Sequence, residues 1–506
     1  MLDHRAVSRS KAERRDWIGL AVLALPCVLY SMDLTVLHLA VPQIAADLKP
    51  GSAALLWIVD IYGFMIAGAL ITMGTLGDRV GRRRLLLIGA AAFGATSLLA
   101  AFSVSAEMLI AARALQGLAA ATLAPSTLSL IRNMFRDDRE RAFAIGVWVA
   151  CFSVGAAIGP VVGGAILAHA WWGAVFLINV PIMLVLLALG PVLLPEFRDP
   201  DAGRLDIVGA AQSVVAVLAI IYGMKRIAEA GWAPLPLFAI GMGFLTGVYF
   251  FRRQSALADP LIDVGLFRVR AFTAALATNI AGLFVIFGTF LFIAQYLQLV
   301  LGMDPLTAGL WTAPSGVVFA AGSMAAPFLV RRFSPHVVVA AGLGISALGF
   351  ALLTQLSTVD GPWLMFTGMM ILCIGTAPVG AITTDIVMAA APPERAGAAS
   401  GISETSFEFG GAFGIAALGS VVTAVYRGTM AAEPLPDIPA RALEAAQDTL
   451  GAAAEVAAQM GGAQGEHLLR TARQAFVHAF EVASVISALG VVAAALLAVA
   501  FLPRAR

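Results

Sequence analysis

The sequence predicts an all-α integral membrane protein of fourteen transmembrane helices, two six-helix bundles plus a two-helix insert. Three observations carry that expectation. Of 506 residues, 60% are hydrophobic and 12% charged, with a mean hydropathy of +0.89, whereas soluble domains hold roughly twice that charged fraction. Basic residues gather in alternate connections between apolar runs. A set of glycines recurs at one fixed spacing in the two parts of the chain.

A helix needs about 20 mostly apolar residues to cross a bilayer. After a tail of residues 1–16, such runs lie at 17–41, 55–76, 84–103, 106–130, 142–168 and 172–194, spans 1 to 6 of a first bundle covering 17–195. Spans 7 and 8, at 206–224 and 234–251, form the insert within 196–271. Spans 9 to 14, at 272–299, 306–330, 336–356, 362–388, 398–426 and 479–502, make the second bundle within 272–506. Between spans 13 and 14, residues 427–478 are rich in Ala, Gln and Glu, and Ala440–Met460 has helical character. That composition fits either a folded hairpin over one mouth of the bundle or a loosely ordered loop.

Charge in the connections sets the orientation. With the N terminus inside, 24 of the 32 basic residues fall on the inner side, among them Arg14, Arg15, Arg79, Arg82 to Arg84, Arg132, Arg252, Arg253, Arg331 and Arg332. Seven fall outside and one, Arg113, lies within a span. The positive-inside rule then places both termini in the cytoplasm of a cell-membrane protein. The first apolar run, at about 25 residues, exceeds the apolar region of a signal peptide and reads as a retained span.

The chain also repeats itself. Arg141-Ala142 and Arg395-Ala396 each open a glycine-rich span, and Gly146, Gly155, Gly159 and Gly164 recur 255 residues later as Gly401, Gly410, Gly414 and Gly419. This aligns span 5 with span 13, the fifth of the second half once spans 7 and 8 are set aside. The insert then fills the space between the halves. In repeat-built transporters the substrate site lies between the repeats near the midplane.

Several function classes are excluded. Lysine occurs only at 11, 49 and 225, never after glycine, so there is no phosphate-binding loop ending in Gly-Lys-Ser/Thr. Cys27, Cys151 and Cys373 lie in separate apolar runs, an odd set without the spacing of a disulfide framework or zinc site. No His-rich or metalloprotease pattern appears, so an enzyme is not expected, and neither metal nor cofactor is. A net charge of +1 gives no reason to expect a nucleic-acid partner.

What remains is the charge inside the apolar runs: Asp33 in span 1, Asp60 in span 2, and Glu404 and Glu408 one turn apart in span 13. A charge at bilayer depth is expensive and by default marks an ion, proton or substrate path. Two carboxylates so close do not both ionise cheaply, so Glu404 and Glu408 should titrate together, and which of them titrates stays open. Aromatic faces attract cations, quaternary ammonium groups above all. Phe407, Trp57, Tyr62 and Trp148 are placed to supply such faces, while Asp60 is either a vestibule residue or a second cation contact.

The motifs carry a family resemblance. Gly74-Thr75-Leu76-Gly77-Asp78-Arg79-Val80-Gly81-Arg82-Arg83-Arg84 resembles the signature between spans 2 and 3 of the major facilitator superfamily. Arg113-Ala114-Leu115-Gln116-Gly117 resembles its span-4 motif, and Gly155 to Gly164, with Gly159-Pro160, its span-5 antiporter motif. Together with Trp57 to Asp60 and Asn179-Val180-Pro181, they make the chain similar throughout to the fourteen-span drug:proton antiporters, notably bacterial exporters of quaternary ammonium compounds, dyes and related cationic drugs.

The resemblance implies a major facilitator fold, a monomer in membrane lipid, and export of cationic small molecules against protons with no cofactor beyond the proton gradient. The rival reading is a proton-coupled exporter or importer of an endogenous metabolite. The resemblance also makes spans 1 and 4 neighbours. At about 1.5 Å per residue, Asp33 and Arg113 then lie at similar depths, so a direct or water-mediated interaction is geometrically allowed. The resemblance further implies that Asp78 and Arg79 act in gating, while Gly155, Gly159 and Pro160 seal helices together without touching ligand.

Overall fold

The computed structural model describes residues 12–198, 206–230, 232–257, 260–262, 264–359, 361–390, 396–433, 435 and 438–502. Spans 1 to 3 are α1 (Arg14–Leu48), α2 (Ser52–Val80) and α3 (Arg82–Ala101). Span 4 is α4 (Ala106–Ala120) with α5 (Leu123–Met134), span 5 is α6 (Asp138–His169), and span 6 is α7 (Ala174–Leu177) with α8 (Asn179–Leu193). The insert is α9 (Ile207–Ala230) and α10 (Pro234–Gln254). Then come α11 (Arg270–Gln295), ending in a π-helical turn at Tyr296–Val300, α12 (Pro305–Arg332), α13 (Pro335–Leu353), α14 (Pro362–Ala390) and α15 (Ala396–Ala432). After α16 (Ala440–Asp448) and α17 (Leu450–Met460), α18 (Gly462–Phe501) supplies span 14. Thirteen spans are long and apolar enough to cross a membrane; α6 contributes a shorter apolar stretch, Val154–His169, among its described residues.

Two spans expected to be continuous are broken, and proline explains both. Proline clashes with the carbonyl four residues earlier and leaves it without an N–H. Pro125 acts on Ala121, where α4 gives way to α5, and Pro181 acts on Leu177, where α7 ends. In hydrocarbon such breaks are tolerated only where backbone is buried in protein, and Ala121 and Phe176 are buried.

Glycines set how closely the helices approach. A Cβ on Gly155 would strike the carbonyl of Val28, and one on Gly159 would meet Thr35 and Met32, both on α1. Their equivalents repeat the arrangement: Gly410 lies against the Ile280 carbonyl and Gly414 against that of Phe284, both on α11. The third pair turns to the opposite bundle. Gly164 packs on Pro305 and Leu306 of α12, while Gly419 packs on Leu56 of α2. Small residues let helix backbones approach this closely in membranes, and the internal repeat is thereby visible as repeated packing.

The insert is not symmetric in its contacts. Helix α9 packs on both α2 and α15, whereas the principal neighbour of α10 is α9. Their adjoining ends are fastened at Asp206, which pairs with Arg253, accepts from Gln254 Nε2 at 2.9 Å and caps α9 through Gly209 N at 2.9 Å. Burial pushes the Asp206 carboxyl up, but these hydrogen bonds outweigh it and hold the group below the usual carboxylate range.

Two boundaries differ from expectation because the helices outrun the apolar core. The segment Gly74–Val80, expected as loop, continues α2, and the turn to α3 shrinks to Gly81 at φ 116°. Only glycine adopts that backbone readily, and Glu196 occupies the space a side chain would need. Likewise α18 begins at Gly462 rather than 479. The connection before it is a folded hairpin: Tyr426 donates to the Ala446 carbonyl at 2.8 Å, Arg427 pairs with Asp448 at 3.0 Å, and Lys49 pairs with Glu455 at 2.7 Å. It lies on the face of the α1–α2 turn, opposite the arginine-rich turns.

Overpacking a tight contact costs about 1–3 kcal/mol. Gly155→Ala and Gly414→Ala should each lower the thermal midpoint in detergent by several degrees. Gly428→Ala, where an added Cβ meets no neighbouring element within 4 Å, should not lower it.

Candidate functional site

The first polar centre lies inside the first bundle. Arg113 on α4 is fully buried, and its Nη1 pairs with Asp33 Oδ2 on α1 at 2.5 Å. The same nitrogen donates to Gln116 Oε1 at 2.8 Å, and Asn179 Nδ2 donates to Asp33 Oδ1 at 3.0 Å. Gln116 and Asn179 also both donate to Ser97 Oγ, at 2.9 and 3.3 Å. The guanidinium lies 4.3 Å from the ring centre of Tyr62 and 5.6 Å from that of Phe176, attractive positions for a cation. The breaks in spans 4 and 6 fall beside this cluster, and Asn179 is the first residue of α8.

The second centre lies between the bundles. A cavity of about 20 Å³ is bounded by Leu34, Val59, Asp60 and Gly63 on one side and by Phe287, Phe407, Glu408 and Gly411 on the other. That volume holds about one water, far below the ~300–1,000 Å³ of sites for drug-sized ligands. Tyr30 on α1 reaches across and donates its hydroxyl to Glu408 Oε1 at 2.6 Å. The ring of Phe287 meets that of Phe407 edge-on at 6.0 Å.

This architecture matches known proteins along the whole chain. The profile of the Major Facilitator Superfamily matches residues 23–415. The chain belongs to the major facilitator superfamily. Multidrug efflux pump LfrA of Mycolicibacterium smegmatis is 43% identical, covering 96% of each chain. Methyl viologen resistance protein SmvA of Salmonella typhimurium is 36% identical, over 93% of this chain and 94% of its own. The tetracenomycin C resistance and export protein of Streptomyces glaucescens is 31% identical, over 88% and 83%. A bacterial homologue of the human lysosomal transporter Spinster shares the fold, with a TM-score of 0.68 at 18% identity over 96% of this chain and 98% of that one. Membership in a transporter superfamily makes this chain a multi-pass membrane transporter and not an enzyme.

Within this major facilitator frame, the residues singled out in the sequence separate by location. Asp33, Arg113 and Tyr62 meet in the first centre; Asp60, Glu408 and Phe407 meet at the cavity. Glu404, half-buried one turn before Glu408, does not line that cavity. Trp57 packs beside the small cluster of Phe64, Ile221, Ala412 and Ala416, where α2, α9 and α15 meet. Trp148 donates to Thr127 at 3.0 Å and meets Phe152 edge-on at 4.8 Å.

Gly155, Gly159 and Pro160 lie at helix seams, the Pro160 carbonyl against Gly309 of α12. Arg79 is half-buried in the last turn of α2, and the side chain of Asp78 lies outside the described residues. Sequence reasoning missed Tyr30, and gave Gln116 and Asn179 no role although both stood in quoted motifs. It also read Arg83 as topogenic. Arg83 hydrogen-bonds the Leu194 carbonyl at 3.0 Å and its amide donates to Glu196 at 3.1 Å, stitching α3 to the end of α8.

Removing one member of a buried ion pair leaves an uncompensated charge, at a cost of about 3–5 kcal/mol. Arg113→Met should therefore destabilise the protein strongly, and Asp33→Asn combined with Arg113→Met should cost less than the two single changes added together. Thermal unfolding of the four proteins in one detergent reads this coupling.

Proposed function

We propose that the protein is a proton-coupled antiporter that exports cationic, lipophilic compounds, such as drugs, dyes or quaternary ammonium ions, by alternating access. The observation that carries the reading is the cavity between the bundles. Asp60 from one and Glu408 from the other face it beside the rings of Phe287 and Phe407. Negative charge beside aromatic faces is the chemistry that holds a lipophilic cation, and the roles that name its relatives, multidrug efflux and methyl viologen resistance, support it.

The mechanism assigns two tasks. Asp60 and Glu408, deprotonated when the cavity opens inward, attract the cation; after reorientation, protons from outside displace it, and the protonated carrier returns. Asp33, beside Arg113, couples that exchange. Opening to either side changes both its solvation and its distance from the guanidinium, the two influences that govern a buried carboxylate's proton affinity. Glu404, one turn away, adds charge that favours dications. The protein works as a monomer in the cell membrane with both termini cytoplasmic and the α16–α17 hairpin outside, in keeping with the 24-to-7 distribution of basic residues.

Asp33→Asn lowers stability by leaving Arg113 unpaired, and the protein that folds should show no pH-gradient-driven accumulation of a monovalent dye in inverted vesicles. Glu408→Gln should weaken dications more than monocations. Drug-induced proton release from purified protein checks both; release and uphill transport like wild type in both variants would refute the mechanism. For orientation, a cysteine at Gln464, exposed near the hairpin, should react with an impermeant maleimide on intact cells. Reaction only after permeabilisation would reverse the proposed topology.

A further inference from the structure

We infer that Tyr30 is the latch that closes the empty site, and that the transported cation must displace it from Glu408. The inference deepens the proposed function, since it rests on Glu408 being a cation contact.

The geometry points there in three steps. The hydroxyl of Tyr30 donates to Glu408 Oε1 at 2.6 Å, joining α1 of the first bundle to α15 of the second. A hydrogen bond to a carboxylate is short and roughly twice as strong as a neutral one. Next, the cavity beside it, at about 20 Å³, has no room for a lipophilic cation. Admitting one requires Leu34, Val59 and Asp60 to part from Phe287, Phe407 and Glu408, and parting α1 from α15 stretches the Tyr30–Glu408 bond. Finally, the tyrosine is held in place for this contact. Its ring is met edge-on by Phe152 of α6 at 5.6 Å and flanked by Tyr62 of α2 at 6.4 Å. The neighbouring Ser31 donates to the Phe152 carbonyl at 2.5 Å. The hydroxyl is therefore positioned from the first bundle, while its acceptor belongs to the second.

Tyr30 thus acts as a positioning residue with an opposite effect on two quantities. By holding the unloaded site shut it lowers the fraction of molecules competent to bind, and apparent affinity falls by that fraction. By competing for Glu408 it also helps to expel the cation, so the carrier returns empty. A residue that merely packed would not weaken binding by being present.

The test is equilibrium binding of ethidium, a monovalent aromatic cation, to the purified full-length protein, with pH-gradient-driven uptake into proteoliposomes alongside. Tyr30→Phe keeps the ring and removes the donor. It should bind ethidium roughly ten- to a hundredfold more tightly, as expected from losing one charge-assisted hydrogen bond in the unloaded state, while uphill transport falls. In a Glu408→Gln background the same change should alter affinity less than twofold.

Unchanged or weaker binding by Tyr30→Phe, with Glu408→Gln weakened as expected, overturns the latch and leaves the proposed function standing. Undiminished binding by Glu408→Gln overturns both. If Tyr30→Phe does not yield folded protein, Tyr30→Leu carries the same expectation.

Discussion

A guanidinium in the membrane interior must be neutralised and solvated by protein, because hydrocarbon does neither. The first bundle is organised around that requirement. Arg113 finds its counter-charge in Asp33, a side-chain acceptor in Gln116 and an aromatic face in Tyr62. Asn179 and Ser97 complete the shell around the carboxylate and the amide. Meeting this need draws together α1, α2, α3, α4 and α8. It also places two proline-induced helix breaks where polar side chains and buried protein surround the interrupted backbone.

The second organising feature is repetition. The glycines of α6 and α15 make the same two approaches to the first helix of their own bundle and the same single approach across to the other. Two copies of one packing solution thus meet face to face, and the cavity with its opposed carboxylates lies on that seam. The polar contents are not copied. The buried arginine centre belongs to the first bundle alone, and the cavity draws one carboxylate from each.

Much of this was legible in the chain. Apolar runs longer than a bilayer needs located the spans, and the 255-residue glycine offset located the repeat because close backbone contacts tolerate no side chain. The family resemblance made spans 1 and 4 neighbours, and the similar depths of Asp33 and Arg113 then allowed their meeting. Other features were not legible, for physical reasons. Hydropathy averages over a window and does not register a break at one carbonyl, although Pro125 and Pro181 marked both positions. Sequence adjacency favoured pairing Glu408 with Glu404. That Asp60 lines the same cavity from the other side was not visible, because only the tertiary fold brings α2 to α15. Tyr30 and Phe152 resemble any other aromatic in an apolar run until their neighbours are known.

The length of α18 has a practical consequence. Forty residues at 1.5 Å each make a rod of about 60 Å, twice the hydrocarbon thickness of about 30 Å. Its first half, packed against α17, exceeds what the bilayer requires and forms a small turret. Two related bundles inside a detergent belt offer little low-resolution contrast and nearly the same outline when half a turn apart. The turret removes that ambiguity, giving single-particle images a fixed landmark and conformation-selective antibodies a folded surface to grip.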